Sequence, residues 1–100
     1  MTRFELPASI FTVDVDEKPI VSFEAKNLRE AHELVRETWF RDDLMLLVSG
    51  GELLWDGEAP LRARFATEPE IERYRGIAAE AEDTKGDIVL AFLVPLDGVP

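Results

Sequence analysis

Cysteine is absent from this sequence of 100 residues. The chain therefore has no disulfide frame, no thiol nucleophile and no thiolate ligand for a metal. Long apolar runs are also missing: no segment approaches the roughly 20 residues that span a bilayer. The start, from Met1 to Glu5, lacks the apolar segment of a signal peptide. We therefore expect a cytoplasmic protein with no membrane partner.

Positive charge is scarce, because 11 Lys and Arg face 21 Asp and Glu and the formal net charge is −10. Such a charge repels nucleic acid, so we predict no nucleic-acid partner. A glycine-rich phosphate loop is missing as well, since Ser49-Gly50-Gly51 lacks the spaced glycines and the Lys-Ser/Thr pair of such loops. We predict no cofactor and no metal site.

The chain nevertheless has enough apolar surface for a folded domain. Hydrophobic residues make up 46% of it, with only six glycines and six prolines. That composition is typical of globular proteins rather than disordered ones. Since no repeat or linker divides the sequence, we predict that residues 1–100 form a single small domain.

Three alternating segments predict strands. Residues 10–15 and 20–25 alternate between apolar and polar side chains, and the turn formers between them indicate a hairpin. Residues 61–65 alternate in the same way. In residues 87–94, every residue after Asp87 is apolar, without alternation, which indicates a strand covered on both faces, at the sheet centre or under a partner.

Two capping-box patterns predict the main helices. Asn27 with Glu30 begins a helix over 27–41, and Thr67 with Glu70 begins a helix over 67–83. Residues 44–48 are ambiguous between helix and strand. We favour a short helix there, capped by Asp42-Asp43 and ended by the glycines that follow Ser49.

Together these elements predict an α+β domain of order β-β-α-(α)-β-α-β. We expect a four-stranded mixed sheet with an N-terminal hairpin and two main helices packed mainly on one face. If residues 53–55 pair with 61–65 across the turn at Asp56-Gly57, the sheet gains a fifth strand. The inward positions predict one core of Phe11, Val13, Val21, Phe23, Leu34, Trp39, Phe65, Ile71, Tyr74, Leu90 and Phe92.

Charged side chains on the predicted strands allow two interpretations. Asp14, Asp16 and Glu24 could hold Mg²⁺ or Ca²⁺, since hard cations prefer oxygen ligands. We favour instead cross-strand charge pairs of these carboxylates with Arg62 and Arg64. The alternative for this face is that it binds a ligand or a partner.

Trp55 lies in a glycine-bounded loop. We favour packing of its ring over the core edge, and the alternative is a role as an interface anchor. Together with Asp56, Arg62 and Arg64 it forms our candidate binding set.

No motif in the sequence identifies a function. We predict a small acidic protein-binding or regulatory module without catalytic activity. We also expect a homodimer that covers an apolar patch on the final strand or the Trp55 loop. The alternative is an acid–base or metal-dependent enzyme that uses His32 with carboxylates in a common pocket. The position of His32 at the border of an apolar helix stripe favours a partly buried structural role.

Overall fold

A computed structural model describes residues 9–80 and 89–97 of the chain. The elements in chain order are β1 (Ser9–Val15), β2 (Lys18–Ala25), α1 (Leu28–Val35), α2 (Thr38–Leu46), β3 (Val48–Ser49), β4 (Glu52–Leu53), β5 (Leu61–Phe65), α3 (Glu68–Glu80) and β6 (Ala91–Phe92). The α+β class and the predicted order are confirmed, with β3 and β4 as an additional small hairpin. The predicted helix end near residue 83 and strand start at residue 87 lie outside the described residues. Among the helices described, none is long and apolar enough to cross a membrane.

The main sheet has four strands in the order β5-β1-β2-β6, and every neighbouring pair is antiparallel. The mixed pairing that we expected is therefore not found among the described strands. The β1–β2 hairpin takes the centre, and β5 and β6 each add antiparallel to one side of it. The two-residue turn of this hairpin is Asp16-Glu17, with φ angles of 51° and 70°.

The sheet separates two apolar clusters, so the prediction of a single core is wrong. One face packs against α1 and α2, and Phe11, Val13 and Phe23 are fully buried there. The other face packs against α3, where Tyr74 is buried with Ala91. Helices therefore cover both faces, because alternate residues of the central strands are buried on either side.

The final apolar segment forms the short edge strand β6 instead of a central strand. Only Ala91 and Phe92 pair with β2. Ala91 and Val89 pack in the Tyr74 cluster, whereas Leu90 and Phe92 pack against the main core. The two-sided cover that the sequence predicts for this segment is thus present, but at the edge of the sheet.

The predicted first helix is two helices with a break between them. α1 ends at Val35, and α2 begins at Thr38. Arg41 Nε donates a hydrogen bond of 2.9 Å to the Val35 carbonyl, one of the carbonyls that a helix end leaves open. The break changes which residues of α2 face the sheet. Phe40 is buried in place of Trp39, which is 42% exposed.

Residues 44–48 divide between helix and strand. α2 continues to Leu46, so the helix that we favoured is confirmed for its first part, and β3 begins at Val48. Asp42-Asp43 lies inside α2 and does not cap it. Gly50-Gly51, with φ angles of 62° and 85°, forms the turn of the β3–β4 hairpin rather than a helix end.

The predicted turn at Asp56 does not create a fifth strand of the main sheet. β4 pairs with β3, with Val48 opposite Leu53, and has no register with β5. Asp56 Oδ1 instead accepts hydrogen bonds from the backbone N–H groups of Glu58 and Ala59, at 2.8 and 2.9 Å. These donors hold the pKa of the exposed Asp56 carboxyl below its ordinary value. The loop so formed leads into β5.

Candidate functional site

A cleft of about 310 Å³ lies beside β5, the outer strand of the main sheet. We call it the basic cleft. Residues from α1, α2, the loop before β5 and β5 itself contribute to it. They are His32, Val35, Arg36, Arg41, Trp55, Ala59, Leu61, Arg62 and Ala63.

The charge of the basic cleft is opposite to that of the chain. Among the described residues, three arginines and a histidine line it and no carboxylate does, in a protein with 21 Asp and Glu against 11 Lys and Arg. Arg62 lies at its β5 margin, on the side of the sheet that its register partner Asp14 faces. Among the residues that the structure describes, Arg36, Arg41 and Arg62 form no ion pair. Their charge is available to an anion.

Trp55 fixes the orientation of Arg41 in the cleft. Only 7% of Trp55 is exposed, and its indole N–H donates a hydrogen bond of 2.8 Å to the Ala59 carbonyl. The guanidinium carbon of Arg41 lies 5.6 Å from the centroid of the Trp55 ring. Since Arg41 is also bonded to the Val35 carbonyl, it loses little side-chain entropy when an anion binds.

His32 is exposed on α1, one turn before Arg36. The partly buried position that we predicted for it is therefore wrong, because α1 buries Ala31 and Val35 and leaves His32 at the open side of the cleft. Its neighbours in the cleft are arginines and apolar residues. The enzyme alternative requires carboxylates beside His32, and residues 9–80 and 89–97 contribute none to the lining of the cleft.

A buried polar cluster lies on the α3 face of the sheet. We call it the polar clasp; it consists of Thr12, Asp14, Ser22, Arg64 and Glu70. The guanidinium of Arg64 donates bonds of 2.9 and 3.0 Å to Asp14, and two bonds of 3.0 Å to Glu70. The Thr12 hydroxyl donates to Glu70 at 2.9 Å and lies 2.8 Å from the Ser22 hydroxyl. The clasp ties α3 to β1 and β5.

Hydrogen bonds within the clasp strongly shift two pKa values. Those from Arg64 are the largest cause that lowers the pKa of Glu70 to about 2, and the N–H of Thr67 and the hydroxyl of Thr12 add to it. Glu70 and Asp14 in turn raise the pKa of Arg64. Both carboxylates are already matched by Arg64, so the clasp stabilises the fold and has little capacity for a ligand.

The cation-site interpretation of the strand carboxylates is not supported. Asp14 is bonded to Arg64, as the charge-pair interpretation predicted. Glu24 lies opposite Ile10 in the hairpin register, far along the strand from Asp14. Asp16 is exposed in the turn. Within residues 9–80 and 89–97, no group of metal-binding side chains is found.

The candidate binding set divides between these two regions. Trp55 and Arg62 come together in the basic cleft. Asp56 shapes the loop beside it, and Arg64 belongs to the polar clasp on the other face.

Two residues of the cleft were missed by the sequence interpretation. Arg36 follows His32 by four residues, and this spacing places both on one side of a helix, a usable signal. Arg41 reaches the cleft only because the helix breaks after Val35. No glycine or proline at this position indicates the break in the sequence.

Comparisons with protein families, with curated proteins and with solved structures give no match to this chain. No residue role is carried over from another protein, and the function is inferred from the geometry alone.

Proposed function

We propose that this chain is a small non-catalytic binding module that holds an acidic segment of a protein partner in the basic cleft. The observation that carries the proposal is the segregation of Arg36, Arg41, Arg62 and His32 around one cleft to which the described part of the chain contributes no carboxylate. Arginine forks match the geometry of carboxylates and form the stronger, charge-assisted hydrogen bonds.

The surroundings of the cleft favour binding of a specific partner over nonspecific binding of anions. The chain as a whole carries a net charge of −10, which repels anions that approach other parts of its surface. A local positive site in such a field selects the orientation and the register of an acidic partner more than it raises affinity. A small contact of this kind fits a regulatory interaction that forms and dissociates readily.

Self-association remains a separate prediction. The final strand does not expose the apolar patch on which the dimer prediction depended, because both sides of residues 89–92 pack against described residues. Trp55 is buried and does not project from its loop. One exposed apolar side chain lies next to this loop, Leu53 at 51%, and others lie on other elements, as with Leu46 at 75% and Phe65 at 59%. Sedimentation over a range of protein concentrations tests whether they support a dimer.

The proposal is tested by measuring the affinity of the protein for a blocked polyglutamate peptide, with a polylysine peptide of equal length as the opposite-charge probe. Arg36→Glu reverses one charge in the cleft. Arg75→Glu makes the same change on the exposed side of α3 and is the matched control, because both variants have the same net charge.

We expect saturable binding of polyglutamate that weakens with salt. Arg36→Glu should weaken it about tenfold, which corresponds to about 1.4 kcal/mol, whereas Arg75→Glu should leave it nearly unchanged. Equal affinities for the two variants would show that the basic cleft does not hold the anion. Preferential binding of polylysine would contradict the proposal outright.

A further inference from the structure

The basic cleft lies against an outer edge of the main sheet. β5 is the outer strand, so one side of it pairs with β1 and the other side has no strand neighbour among the described residues. The Ala66 N–H donates to the Ile10 carbonyl at 3.0 Å. This bond shows which of the opposed residue pairs of β1 and β5 are hydrogen-bonded. Bonded and non-bonded positions alternate along an antiparallel pair. By that alternation the backbone groups of Arg62 and Arg64 bond to β1.

The intervening residues of β5 direct their backbone groups away from β1. These residues are Leu61, Ala63 and Phe65. The Phe65 carbonyl accepts a bond of 3.1 Å from the Arg64 side chain. For the three N–H groups and the carbonyls of Leu61 and Ala63, the described residues supply no partner. Such a row of donors and acceptors is a template for another strand.

The free backbone groups and the basic cleft form one continuous surface. Leu61 and Ala63 line the cleft and also offer the unpaired groups. Side chains of a strand added to β5 would alternate between the two faces of the sheet. Every second one would enter the cleft beside Arg36. The others would lie beside Arg62, which faces the same side of the sheet as its register partner Asp14.

We propose that the partner binds as an extended acidic segment that adds a strand to the free edge of β5 and places carboxylates beside Arg36 and Arg62. This inference rests on the proposed function, since the anion held in the cleft is a side chain of the added strand. Backbone pairing then supplies affinity, and the alternating side chains supply specificity.

Charge favours an acidic partner over a second copy of this chain. Two β5 strands paired edge to edge would bring Arg62 of one copy close to Arg62 of the other, whereas Arg64 is already bonded to Asp14 and Glu70. Like charges close together destabilise a strand pair. A carboxylate on a partner strand would instead compensate Arg62.

Amide hydrogen exchange tests strand addition directly. The probe is a blocked threonine peptide with two successive glutamates at its centre, whose side chains would lie on opposite faces of the added strand. It is roughly eight residues long, so that it spans the five-residue β5 at about 3.3 Å per residue. In the free protein the amides of Leu61 and Phe65 should exchange fast; Ala63 between them is only 6% exposed and does not serve as a probe. With the peptide bound, the amides of Leu61 and Phe65 should slow at least tenfold, while Arg62 and Arg64, already bonded to β1, should change little.

Two N-methylated peptides separate backbone pairing from charge. One carries N-methyl groups at the odd positions and the other at the even positions, and both keep every carboxylate. N-methylation removes the donors of one edge of an added strand, so one of the two peptides should bind at least about tenfold more weakly than the parent. The other should bind nearly as well as the parent.

Each contrary result has its own meaning. Binding that responds to Arg36→Glu without slower exchange in β5 would overturn strand addition and leave the proposed function standing. No binding of any acidic peptide would overturn both. Slow exchange of Leu61 and Phe65 in the free protein would show that the edge is already covered. Exchange that slows with protein concentration alone would place a second copy there in place of the acidic partner.

Discussion

Replacing Glu70 by glutamine should change how the stability of this protein depends on pH. Glu70 is bonded to Arg64, Thr12 and the N–H of Thr67, and 14% of its side chain is exposed. Its pKa falls from 4.5 to about 2 in the folded protein, first because of Arg64. Since one pKa unit corresponds to about 1.4 kcal/mol, the ionised carboxylate contributes on the order of 3 kcal/mol to the free energy of unfolding.

The direction of the pH effect follows from the lowered pKa. A carboxyl whose folded pKa is depressed contributes its stability above the unfolded pKa of 4.5, and loses it as the pH falls through the folded value of about 2. Glu70→Gln should therefore unfold about 2 to 3 kcal/mol more easily at neutral pH. The difference from the parent should shrink steadily across the window from about pH 4.5 to 2.

Urea unfolding at a series of pH values measures this difference. Glu68→Gln is the matched control, because Glu68 is exposed on the same first turn of α3 and accepts no hydrogen bond from a described residue. It should follow the parent at every pH to within about 0.5 kcal/mol. Parallel pH curves for the parent and Glu70→Gln would refute the role given to the polar clasp.

Further predictions concern the core, the hairpin turn and the net charge. Phe23→Ala, at a fully buried position, should lower the free energy of unfolding by about 3 to 5 kcal/mol. Phe92→Ala, on the edge strand β6, should lower it by clearly less. Equal losses in urea unfolding would contradict the edge position of β6. Glu17→Gly should stabilise the protein by about 1 kcal/mol, because Glu17 has a φ of 70°, a value that favours glycine. A lower urea midpoint for this variant would show that residue 17 does not have a positive φ. Added NaCl should raise the melting temperature, because it screens the repulsion of ten net negative charges. A melting temperature that does not change with salt would show that this repulsion does not limit the stability of the fold.

Local patterns predicted the elements with strong signals. Alternation located the three strands, and the Asn27–Glu30 pair marks a helix start that the structure confirms, with Glu30 N–H donating to Asn27 Oδ1 at 2.9 Å. Periodicity alone could not show that the helix breaks after Val35. The break depends on tertiary packing, since it brings Phe40 to the sheet and lets Arg41 bond to the end of α1.

The position of the final strand and the basic cleft also depend on long-range contacts. A continuous apolar run predicts cover on both faces, but not where the strand lies in the sheet. Trp55 and Arg62 were selected as binding residues for separate reasons, and only the fold brings them together with Arg36 and Arg41. The sequence intersperses acidic and basic residues. It therefore gives no signal that the folded chain gathers several arginines around one cleft.

The most direct test of the basic cleft is an NMR titration of the ¹⁵N-labelled protein with a polyglutamate peptide. The two resonances to follow are the indole N–H of Trp55 and the side-chain Nε–H of Arg41, which lie next to each other in the cleft. We predict that both shift with the same saturation curve, and that the shifts shrink in Arg36→Glu but persist in Arg75→Glu. Resonances of Trp55 and Arg41 that stay in place while the peptide binds elsewhere would contradict the central claim.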